Sequence, residues 1–201
     1  MNSTDQLPRV FQANAHRFYQ RVIVATLDQL PMHGALITGE MKTFEKFAGN
    51  CAAQVDNYIA NEAIKAFSLT FDGMFERQLR RWVAGHDVKV GNNWGKLLKE
   101  CAKIGSLDLT VNEMADDLEE MHLVANVVRH GDGRSCQELK AQAPSLWDSP
   151  SLDYSDVVPG PTPVSDNLRV RPNDLLRYAR AVFRFWGNVD RLPHAALNPP
   201  Y

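Results

Sequence analysis

Apolar residues recur at intervals of three and four along most of this chain, the repeat of one helix face. Val10, Phe11, Phe18, Val22, Ala25 and Leu27 trace such a face, and predict a helix over about Pro8 to Leu30. Ser3, Thr4 and Asp5 offer N-caps, while Pro31 and Gly34 close the segment. A second helical region is expected from about Gly39 to Ala84. Met41, Phe44, Phe47 and Ala48 open it, and Gly49-Asn50 is the point where it would break or kink. From Val55 onward, Ile59, Ala63, Ala66, Phe67, Thr70, Phe71, Met74, Phe75, Leu79 and Trp82 form a stripe wide enough for a central helix.

A short helix follows from about Trp94 to Ile104, with Gly105 as its terminator. The clearest helix runs from about Asn112 to Arg129. Met114, Leu118, Met121, Ala125 and Val128 make its apolar seam, and Gly131 and Gly133 end it. Another short helix spans about Ser135 to Ala141. Residues 148–166 are rich in proline and small polar groups, so a loop is expected, held by Leu152, Tyr154, Val157 and Val158. Residues 168–171 read as a short strand or extended chain before Pro172. The last helix opens there, buries Leu175, Leu176, Ala179, Val182, Phe183 and Trp186, and ends at Gly187 and Pro193. The fold class is all-α: one domain, residues 1–201, a bundle of four to five main helices with a proline-rich loop before the last.

Composition narrows the function classes. The 201 residues are 44% hydrophobic and 23% charged, ordinary for a globular chain. With 22 basic and 24 acidic side chains the net charge is -2, so any grip on nucleic acid must come from a local patch. Cys51, Cys101 and Cys136 are widely spaced, which suggests neither a disulfide framework nor a zinc site. No signal-peptide pattern or membrane span is read, and a cytoplasmic setting is expected. The phosphate-loop, nucleophile-elbow, dinucleotide and H-E-x-x-H patterns are absent. Glu119-x-x-His122 has the spacing of half a di-iron site, but no second copy exists. No metal and no cofactor are expected.

The strongest local signal is Asn126-Val-Val-Arg129-His130-Gly131-Asp132-Gly133-Arg134, a helix end running into a glycine turn. Glu119, His122, Asn126 and Arg129 share a polar stripe beside the apolar seam. Two readings stay open. The stripe and turn form a site, with Asn126, Arg129 and His130 catalytic and Glu119, His122, Asp132 and Arg134 binding. Alternatively, Arg129 and His130 cap the helix, with Asp132 pairing a neighbouring arginine. Arg77, Arg80 and Arg81 make one basic stripe, and a second, Arg177, Arg180 and Arg184, is a candidate phosphate grip, a solvated face, or a partner of the acidic run Asp116-Asp117-Leu-Glu119-Glu120.

This stretch resembles the HEPN superfamily of small α-helical proteins from prokaryotic defence and toxin systems. Asn126 matches the polar residue of the family motif, and His130, followed by Gly131, matches its histidine. Leu123, Val124 and Ala125 occupy the positions open to the motif arginine. The resemblance implies a helical bundle, often dimeric, whose active members cleave RNA without metal. His130 would then move the proton, Asn126 would orient it, and Arg129 would stand in for the arginine beside the phosphate. The expected partners are RNA and a second copy, with the 112–130 helix at or near the two-fold interface. The other reading is a non-catalytic interaction or inhibitory module of the same fold, with a partner protein.

Overall fold

The computed structural model describes residues 3–34, 36, 42–150, 152–157 and 161–201. Among these the chain is helical, with no strand. The helices are α1 (Leu7–Phe18), α2 (Ala25–Leu27), α3 (Phe44–Ala84), α4 (Trp94–Gly105), α5 (Met114–His130), α6 (Arg134–Gln142) and α7 (Pro172–Val189). A π-helical stretch, Tyr19–Val24, joins α1 to α2, so together they form the expected first helix. A 3-10 turn over Ser3–Gln6 leads into it, with no side-chain cap at Gln6. Gly49-Asn50 does not break α3, which runs through both for 41 residues. A single glycine costs a helix only about 1 kcal/mol, too little to stop one with so long an apolar face. Thr43 starts α3 by accepting the Lys46 N–H; the expected start at Gly39 lies outside the described residues. Asn93 caps α4 in the same way.

One core joins these elements. α3 packs on α5, α1 on α7, and α6 on α5. Phe71, Phe75 and Leu79 of α3 meet Leu118, Met121 and Val124 of α5 and Tyr178, Phe185 and Trp186 of α7, each at most 1% exposed. The α5 seam is thus largely covered within the chain: Met114, Leu118, Met121 and Ala125 are buried, and Val128 is half-buried. Gly187 does not end α7. It lies inside the helix because the carbonyl of Ala196 and the Gln12 side chain come too close for a Cβ. The segment before α7 is irregular, with 3-10 turns at Tyr154–Val157 and Val164–Asn167. Its described ties are largely polar. The buried Asp153 accepts from Asn61, Asn57 donates to the Leu152 carbonyl, and Trp147 donates to that of Val164. Tyr154 rests against Tyr58, the Val157 side chain is not described, and Val158 lies outside the described residues. Residues 168–171 run extended, Arg169 N–H donating to Leu146. No helix among the described residues is long and apolar enough to cross a membrane.

Candidate functional site

A cleft of about 660 Å³ opens where α4 and α6 flank the polar stripe of α5. Helical spacing puts Glu119, His122, Asn126 and Arg129 along one wall, and all four line it. His122 is the most constrained. Its Nδ1 stands 3.2 Å from both carboxylate oxygens of Asp72, which α3 delivers from below. The Asn126 amide nitrogen is 3.1 Å from His122 Nε2. Trp94, at the first position of α4, stacks on the imidazole at 4.4 Å with the planes 9° apart. Three elements therefore fix one ring.

Asp72 is 1% exposed, and burial pushes its carboxyl above the ordinary value of 3.8. The His122 hydrogen bond and charge, and more weakly Arg129, pull it back. With Nδ1–H given to Asp72, His122 presents a lone pair on Nε2 and takes a hydrogen from Asn126. The indole N–H of Trp94 is buried and meets no acceptor in the protein, although the ring lines the cleft. An unmet buried donor is costly, so a ligand acceptor here would relieve it. Lys99 and Arg129 add positive charge to the walls, and Glu76, Glu119 and Glu138 add negative charge.

The other expected residues stand elsewhere. His130 ends α5 exposed to solvent and does not line the cleft. Gly131, at φ 71°, turns the chain away just beyond it. Asp132 accepts the backbone N–H groups of Val164 and Ser165, at 3.0 and 2.7 Å, and these bonds hold its carboxyl below the usual range. Arg134 pairs with Glu138 on the surface. Arg177 is engaged by Asp117, by Glu120 at 2.6 Å and by Asp174 at 3.3 Å. Tyr178 donates to the same Glu120 carboxylate, and burial raises its phenol. Arg180 donates to the Tyr201 carbonyl, and Arg184 is half-buried with its Nε meeting no acceptor. The acidic run is thus the partner of Arg177.

Asp72 and Trp94 are the site residues that sequence reasoning missed. The available signal was an aspartate inside the Phe71–Phe75 apolar run, where a buried carboxylate needs a partner. Among the described residues, no group of three or more His, Cys, Asp or Glu side chains is placed to hold a metal ion. Comparison with known protein families, with curated proteins and with solved structures finds no match to this chain.

Proposed function

We propose that this is a HEPN-like helical protein that cleaves RNA without a metal ion, with His122 as its proton-transfer residue. The observation that carries this reading is the Asp72–His122–Asn126 array, whose His122 and Asn126 line the cleft with Arg129 on the same wall. A carboxylate on Nδ1 fixes the tautomer and leaves Nε2 free to take a proton. Asn126 covers that nitrogen until a ribose 2′-hydroxyl displaces it. His122 then removes the hydroxyl proton as the oxygen attacks the adjacent phosphorus; the bond from phosphorus to the 5′-oxygen breaks, that oxygen leaves with a proton taken from water, and a 2′,3′-cyclic phosphate remains. Arg129 stabilises charge on the phosphate oxygens, and the indole N–H of Trp94 is a further donor. This centres the chemistry more than two helical turns before the glycine turn and leaves His130 outside it. The defence or stress setting comes from the family resemblance.

The second reading is a non-catalytic interaction module of the same fold. It is favoured by Ala125, fully buried at a position open to the motif arginine, and by the exposed His130. Purified protein, a mixed RNA panel and EDTA separate the two. Cleavage is expected to persist in EDTA and to fall by roughly 10²-fold or more in His122→Ala, the usual range for a lost acid–base group. It should drop with Arg129→Ala and survive His130→Ala. No cleavage by the wild type across the panel supports the interaction module. Loss with His130→Ala but not with His122→Ala moves the site to the helix end.

A further inference from the structure

The first turns of α3 are open to solvent. Every residue from Thr43 to Gly49 is exposed. Helices in water draw most of their stability from packing, and a bare two-turn end is a weak helix. Yet this end carries Phe44 at 78% and Phe47 at 53% exposure. The same face continues through the exposed Ala48 and Ala52 to Val55 at 45% and Ile59 at 49%. It lies on the opposite side of the helix from Ala60, Ile64 and Phe71, which enter the core. At about 100° per residue, Phe44, Ala48, Cys51, Ala52, Val55 and Ile59 fall along one stripe.

That stripe is symmetric about a point between Cys51 and Ala52. Reversing the helix about it lays Phe44 on Ile59, Ala48 on Val55, and Cys51 on Ala52. Bulky groups meet at both ends, and small side chains in the middle let the two backbones approach. An isologous interface requires this self-matching, in which each residue faces one whose own counterpart faces it back. The area suffices as well. Given the ring and branched side-chain sizes involved, the exposed apolar surface is about 400–500 Å² per chain. Doubled and given an ordinary polar rim, it reaches roughly 1,500 Å², the size of a standard stable interface.

We propose that this stripe packs antiparallel against the same stripe of a second copy, making a two-fold dimer through the first half of α3. Asp72 lies some twenty residues, about 30 Å, beyond the symmetry point along the helix. The two clefts therefore sit at opposite ends of the assembly, and each is complete within one chain. The proposal is independent of what the cleft does.

Analytical ultracentrifugation of the full chain tests it. The wild type should be dimeric at micromolar concentration. Ile59→Lys should weaken the dimer by roughly tenfold or more, while Leu197→Lys, at another exposed apolar position, leaves it unchanged. Helix content should hold in both variants, since both side chains are exposed. A short bismaleimide should bridge two wild-type chains through Cys51, because Cys101 and Cys136 are buried, and Cys51→Ser should abolish the bridge. A strictly monomeric wild type overturns the proposal. So does a dimer that Ile59→Lys leaves intact, or one that is not bridged through Cys51.

Discussion

A buried aspartate against a histidine makes stability depend on pH in a way that can be signed. Asp72 has its pKa raised by burial, so the folded protein holds its proton to higher pH than the unfolded chain does. Its contribution is full below the unfolded value near 3.8 and is lost as pH rises through the folded one. Asp72→Asn removes that dependence. The wild type should gain melting temperature relative to Asp72→Asn as pH falls from 7 to 4; an unchanged difference across that range would mean that Asp72 does not titrate there. Arg177 gives the second test at this scale. Its side chain is 41% exposed, but Asp117 and Glu120 are 16% and 12% exposed and would lose their countercharge. Arg177→Ala should cost about 1–3 kcal/mol in denaturant unfolding, between the values for surface and buried pairs. Tyr178 shares the Glu120 carboxylate and should show the same loss through altered tyrosine fluorescence.

Within the helices, the same substitution has opposite signs at two glycines. Gly49 is exposed in the middle of a turn of α3 with nothing near its missing side chain. Gly49→Ala should raise stability by about 0.5–1 kcal/mol, through the lower backbone entropy of the unfolded chain. A Cβ at Gly187 would collide with the Ala196 carbonyl and stand 2.5 Å from Gln12 Nε2. Gln12 ties the Phe183 carbonyl to that of Ala196, so the clash displaces the segment after α7. Gly187→Ala should lower stability by about 1–3 kcal/mol. Thermal melts of both variants check the pair. Both glycines read as punctuation in the sequence, yet both lie inside helices. One is tolerated because the apolar face outweighs it, and the other is required by the Ala196 carbonyl and by Gln12 from the far end of the sequence, a proximity that spacing alone cannot reveal.

At the scale of the whole molecule, the helical architecture was legible because apolar periodicity is local and buried faces are long. The wall of the cleft was legible for the same reason: Glu119, His122, Asn126 and Arg129 share one helix face, and periodicity alone aligns them. Its floor was not. Asp72 and Trp94 come from other helices, and only packing brings them to His122. The Arg177 network was half legible, since charge pairing was foreseen but the residues that pair lie about sixty positions apart. The packing of α1 on α7 has a consequence for synthesis. Phe11 and Ala15 of α1 are buried in the finished protein, with Phe11 against Trp186 of α7. A ribosome adding about 5–20 residues per second needs on the order of 10–30 s to travel from one helix to the other. For that interval the nascent chain carries α1 without its α7 cover, which makes the part of its apolar face that α3 does not reach a ready handhold for a chaperone.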